Sequence, residues 1–120
     1  MRAVLVGIAG AAGALCRYGI GLSVGSLRFP WATFGINVAG SFLLGLLLEV
    51  ADARGWSPDV SVPLAIGFLG AFTTFSTFTG ETHLLLRTDR TGTALAYVLV
   101  SVGLGIVAAA GGYRLGTALR

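Results

Sequence analysis

Apolar residues along this chain gather into four long runs separated by short polar connections. The runs cover roughly 4–27, 31–51, 62–86 and 93–115. Each is close to the ~20 residues that a helix needs to cross the hydrocarbon core of a bilayer. The connections are SLRFP, DARGWSPDVS and RTDRTG, too short to form a soluble domain. Trp31, Trp56 and Tyr113 fall near run ends, where interfacial aromatics belong. The pattern predicts an all-α integral membrane protein with four transmembrane helices and a single transmembrane domain over residues 1–120.

The third run is unlike the others. Its middle reads GAFTTFSTF, residues 70–78, with the hydroxyls of Thr73, Thr74, Ser76 and Thr77 set among Phe72, Phe75 and Phe78. Irregular backbone at membrane depth survives only where protein buries it or where it lines a wet path. The pattern therefore predicts a break in helix 3 at about Gly70–Thr77, at a place where an ion is handled.

Composition supports the membrane class. Of 120 residues, 55% are hydrophobic and 11% charged, and the mean hydropathy is +0.87. All eight basic residues are arginines, and they stand singly at run ends. That spacing fits membrane anchoring and supplies no nucleic-acid patch. A single cysteine, Cys16, excludes an internal disulfide. Met1-Arg2 and the following AVLVGIAGAAGAL resemble a short signal sequence. However, Leu15 stands where a lipoprotein signal wants a small residue, and the apolar run resumes to Leu27, so an uncleaved helix is expected.

Charge then bears on topology. Arg2, Arg54, Arg114 and Arg120 fall on the N-terminal side, against Arg28, Arg87 and Arg90 on the other, with Arg17 inside the first helix. Orientation normally follows an arginine excess on one side, and here there is none. Two outcomes stay open. The chain inserts both ways and pairs as an antiparallel homodimer, or a weak bias or partner subunit sets one topology.

Polar residues inside the runs form stripes. Thr33, Asn37 and Ser41 follow i, i+4, i+8 on helix 2, and Tyr97 and Ser101 follow i, i+4 on helix 4. Asn37 offers two donors and an acceptor. It suits either an interhelical hydrogen bond, worth about 0.6–2 kcal/mol, or an anion-greeting position in a pore. Phe75 and Phe78, at i, i+3, share a face, and their positive ring edges suit a passing anion without trapping it. The competing role for such a pair is plain packing. Small residues recur at Gly21/Gly25, Gly112/Gly116 and GIAGAAGA, a spacing that lets helices approach closely.

Arg17 and Glu81 are charges within the runs and carry functional hypotheses for that reason, Arg17 as a buried anchor or as an electrostatic lure for anions at a pore mouth. Glu81 is a candidate to pair with an arginine or to couple protons. Glu49, near the end of helix 2, is expected at the interface. His83 is the only histidine, so neither a metal cluster nor a nucleophile–base pair can be assembled. In an antiparallel pair the two helix-3 breaks meet near the bilayer centre. Their freed carbonyls would suit a hard cation such as Na⁺, which would staple the dimer.

GAFTTFSTF resembles the G-x-x-TTFSTF signature of the Fluc fluoride channels, also called the CrcB family. INVAGSFLLGLL in helix 2 resembles that family's N-x-x-GSFLLG segment. Arg17 before Tyr18, Glu81, and Tyr97 with Ser101 match as well, so the resemblance spans the chain. It implies a fluoride-selective passive channel in the cell (inner or plasma) membrane. The implied assembly is an antiparallel dual-topology homodimer that exports cytoplasmic fluoride and lowers its toxicity. By the motif, Gly70 and Thr73 would give backbone carbonyls to a structural Na⁺ that is not transported. Phe75, Phe78, Asn37 and Ser101, with Tyr97 and Thr77, would contact fluoride, and Arg17 would lie near the vestibule. The chain departs from the family pattern at Ala71 and Phe72, neither of which changes a carbonyl donor. Two alternatives remain: a proton-coupled small multidrug-type exporter using Glu81, and a packing subunit of a larger complex.

Overall fold

A computed structural model describes residues 1–25 and 28–119. The expected end of the first helix at Leu27, and Arg120 of the charge count, lie outside the described residues. All regular structure among the described residues is helical: α1 (Arg2–Val24), α2 (Trp31–Ala53), α3 (Pro58–Val62), a π-helical segment (Pro63–Leu69), α4 (Gly70–Phe72), α5 (Phe75–Arg87) and α6 (Thr91–Ala118). α3 through α5 form one span, Pro58–Arg87, so four spans are long and apolar enough to cross a membrane.

The span ends have local causes. Gly25 ends α1 at φ 68, a left-handed conformation that a side chain would resist. The third span begins at Pro58 rather than Val62, because Ser57 accepts the Asp59 N–H at 3.2 Å and caps the helix, with proline in the first turn. Asp89 turns the chain between α5 and α6 at φ 56, which a short polar side chain tolerates.

Successive spans run in opposite directions. Arg2 pairs with Asp59 at 2.8 Å at one end of the molecule, and the Arg90 side chain donates to the Arg28 carbonyl at the other. α2 packs along α6, and α1 packs on the π segment and α4. Backbone meets backbone in both pairs. A Cβ on Gly45 would strike the Ala109 carbonyl, one on Gly112 the Phe42 carbonyl, and one on Gly13 the Phe68 carbonyl. Within the protomer the Gly21/Gly25 pair takes no close-approach role: a Cβ on either would meet none of the described residues of another helix within 4 Å, and Gly25 serves the turn.

Glu49, near the end of α2, is covered by protein. It is 3% exposed, buried between α2 and α6, with Thr117 Oγ1 donating to it at 3.3 Å. Gly116 makes the room, since a Cβ there would lie 2.8 Å from that of Glu49.

Two apolar clusters flank the break in the third span. Ile36, Leu69 and Phe72 pack with Phe68 and Leu47 on one side of it. Leu85, Ala94 and Tyr97 pack with Phe29, Phe34 and Phe78 on the other. Ile8, Leu15, Leu99 and Ile106 face outward, as lipid-solvated spans require.

The candidate ion pathway around the broken third span

The break is narrower than expected. Only Thr73 (φ −80, ψ 157) and Thr74 (φ −150, ψ 115) are extended, and α5 restarts at Phe75. Phe75, Ser76, Thr77 and Phe78 are therefore helical. The irregularity also starts earlier, because the Pro63–Leu69 stretch is π-helical. Pro63 supplies no N–H donor at its start.

The hydroxyls that marked this stretch in the sequence make the break. Thr73 Oγ1 donates back to the Leu69 carbonyl at 2.8 Å. Thr74 is the N-cap of α5: its Oγ1 accepts the Thr77 N–H at 3.2 Å and donates to Thr77 Oγ1 at 3.0 Å. Hydroxyls competing for main-chain partners favour caps over helix interiors. Thr77 thus acts locally, holding the start of α5.

Two side chains from other helices satisfy what the break exposes. Asn37 donates through Nδ2 to the Thr74 carbonyl at 3.1 Å and accepts the Thr74 N–H through Oδ1 at 2.8 Å. Arg17 Nε donates to the Ala71 carbonyl at 3.1 Å. That places a cation at the C-terminal end of a helical segment, where the helix dipole favours it. Arg17 thus anchors α1 to the third span from a part-buried position.

Several carbonyls lose their helical donors, among them those of Gly70 and Thr73. In an unbroken helix the Thr74 N–H would serve Gly70 and the Thr77 N–H would serve Thr73. Here those N–H groups go to Asn37 and to the Thr74 hydroxyl. Gly70 is exposed on the surface of the protomer, at membrane depth.

The break opens onto a cavity of about 340 Å³ between α2, the third span and α6. Asn37, Gly70, Thr73, Phe75, Phe78 and Ser101 all line it. No charged side chain lines it. Ser101 Oγ is buried there without a hydrogen-bond partner. The Phe75 and Phe78 rings lie 6.0 Å apart and tilted by 45°, and Phe75 is 78% exposed.

Tyr97, Thr77, Arg17 and Glu81 do not line this cavity. Tyr97 is fully buried and donates to Glu81 Oε2 at 2.7 Å, and Thr33 Oγ1 donates to Glu81 Oε1 at 2.9 Å. Two hydroxyls thus hold the Glu81 carboxylate, in the place where the sequence suggested an arginine. Thr33 and Thr74 were missed as site residues. Thr33 stands at the head of the Thr33–Asn37–Ser41 stripe, and Thr74 stands three residues before Thr77, as an N-cap does. Phe29 was missed too. Its ring meets Tyr97 edge-to-face at 5.3 Å, and Tyr97 meets Phe78 edge-to-face at 5.0 Å.

Comparison with known proteins agrees with this architecture. Residues 4–113 match the family described as CrcB-like protein, Camphor Resistance (CrcB). The chain is 48% identical to a protein of Symbiobacterium thermophilum named fluoride-specific ion channel FluC 1, over 97% of this chain and 98% of that one. It is 47% identical to a fluoride-specific ion channel FluC of Thermus thermophilus, over 98% and 95% of the two chains. A protein of the same name from Ignicoccus hospitalis is 45% identical, over 93% and 92%. These relatives are named as ion channels, a non-enzymatic class. With four membrane-crossing spans and a match over nearly its whole length, this multi-pass membrane protein belongs to the CrcB family.

Proposed function

We propose that the protein is a fluoride-selective passive ion channel that lets cytoplasmic fluoride leave the cell. The observation that carries this reading is the buried, unpartnered Ser101 hydroxyl in an uncharged cavity edged by Phe75 and Phe78. A small hard anion prefers strong hydrogen-bond donors, and aromatic edges add a weak positive field. With no fixed cation in the cavity, the ion is greeted but not held, which conduction requires. The names of the relatives support fluoride as that anion.

The functional unit in this reading is an antiparallel dual-topology homodimer formed from one transmembrane domain per chain. The flat arginine count supports it, and so does the exposed main chain at Gly70. Lipid cannot satisfy a freed carbonyl there, whereas a second copy or a bound ion can. The donor set fits a structural Na⁺: the Gly70 and Thr73 carbonyls have lost their helical donors, and a hard cation takes oxygen ligands. Na⁺ held there would neutralise the carbonyl dipoles. Asn37 and Arg17 hold the break open to present them.

The exporter alternative needs Glu81 to meet substrate and solvent protons. Glu81 instead lies outside the cavity, held between Thr33 and Tyr97. Fluoride-loaded liposomes with a fluoride electrode separate the two readings. Rapid fluoride loss without a pH gradient is expected. Absence of flux from well-folded protein, or flux that needs a pH gradient and is lost in Glu81→Gln, overturns the channel reading.

A further inference from the structure

Where α5 turns into α6, Arg28 and Arg90 line an open cavity of about 710 Å³ together with Phe29 and Thr93. The Arg90 side chain donates to the Arg28 main-chain carbonyl, which holds its guanidinium beside the Arg28 backbone at this cavity. Neither arginine belongs to an ion pair among the described residues. Like charges held at one cavity repel unless an anion comes between them. An arginine that merely anchors a helix at the interface needs neither the hydrogen bond nor the cavity.

The cavity also has a direction. Thr93, Tyr97 and Ser101 stand at i, i+4 and i+8, on one face of α6. Thr93 lines the arginine cavity, and Ser101 lines the central one. Tyr97 lies between, with Phe29 at 5.3 Å on the arginine side and Phe78 at 5.0 Å on the central side. One helix face and one series of ring edges therefore join the two cavities.

We propose that the Arg28–Arg90 cavity is an outer anion site that concentrates small inorganic anions, fluoride first, at the head of the α6 hydroxyl line. The identity of the physiological anion rests on the channel reading above, while the site itself rests on the arginine pair. A positively charged recess raises the local anion concentration, and salt screens that effect. A lipid phosphate would be bound by the same chemistry, so the test must separate it from free anion.

Arg28→Gln is the variant of choice, since Arg28 is exposed and its carbonyl, which Arg90 uses, is retained. Arg28→Lys serves as the rescue. In liposomes of neutral phosphatidylcholine at low ionic strength, Arg28→Gln should lower flux at low fluoride about threefold. Arg28→Lys should restore it. The gap should close at saturating fluoride, or in about 0.5 M inert salt where charges act over only a few ångströms. In maltoside detergent, wild-type protein should broaden the fluoride ¹⁹F resonance more than Arg28→Gln does. Equal flux across all fluoride and salt concentrations overturns the proposal. So does a gap seen only in liposomes containing phosphatidylglycerol, which assigns the cavity to a lipid headgroup. Wild-type protein without flux, but with broadening that Arg28→Gln reduces, leaves the anion site standing and overturns the channel reading instead.

Discussion

The side-chain amide of Asn37 pairs with the main chain of Thr74 at both its ends, donating to the carbonyl at 3.1 Å and accepting the N–H at 2.8 Å. A residue that lines the central cavity is thus also the strut of the break. In Asn37→Ala a part-buried N–H and a part-buried carbonyl lose their partner together. The expected cost is about 1–3 kcal/mol. Thermal melting in detergent should fall accordingly, and liposome flux should be lost. Asn37→Asp keeps the acceptor and loses the donor, so it should melt between the two while adding a negative charge that opposes anion passage.

Arg17 acts on the same break from α1. Its Nε bond to the Ala71 carbonyl is a charged, part-buried hydrogen bond. Arg17→Met should lower stability by about 1.5–3 kcal/mol. Arg17→Lys should recover part of the loss, since an ammonium can reach a carbonyl without the guanidinium's geometry. Denaturant or thermal unfolding of the purified protein reads both. A stability equal to wild type in Arg17→Met would remove the capping role.

Ser101 should separate conduction from folding. Its hydroxyl has no protein partner to lose. Ser101→Ala is therefore expected to melt within about 0.5 kcal/mol of wild type. Its flux should fall about tenfold or more, the worth of one hydrogen bond to an ion. Phe75→Ile should likewise abolish flux and leave the fold intact, since the ring is 78% exposed in the protomer. Phe78→Ile should abolish flux and also cost about 1 kcal/mol, because it removes the edge-to-face contact with Tyr97.

On the proposed assembly, replacing Na⁺ throughout purification by a bulky organic cation should lower the melting temperature and shift the proposed dimer toward monomer. Restoring Na⁺ should reverse both changes, as expected for a ligand that binds only the folded assembly. Size-exclusion profiles that do not depend on Na⁺ would remove the cation from the assembly.

The spans and the place of the break were legible because both are written in composition: four apolar runs, and one cluster of hydroxyls where apolar residues belong. The extent of the break was not. Thr73 and Thr74 differ little in side chain from Thr77, yet only the first two leave the helix, because Asn37 takes the Thr74 N–H and Thr74 caps the next turn. That outcome depends on a residue of another span. The two roles of Glu81 considered from the sequence, arginine partner and proton coupler, gave no hint of Thr33 and Tyr97. Hydroxyl donors on two other helices leave no local mark beside the carboxylate they hold. Position along the run places Glu49 near the end of α2, but its burial in protein depends on the missing side chain of Gly116 on α6, which nothing beside Glu49 in the sequence reveals.

Both struts of the break, Arg17 on α1 and Asn37 on α2, precede Thr73 in the chain. Chains are made and inserted from the N-terminus, so α1 and α2 reach the bilayer first. The third span, which among the described residues carries the gap in its own hydrogen bonding, arrives to find a guanidinium and an amide already in place. The order of residues along the chain thus doubles as an order of assembly, in which the most vulnerable segment is synthesised after the two that shelter it.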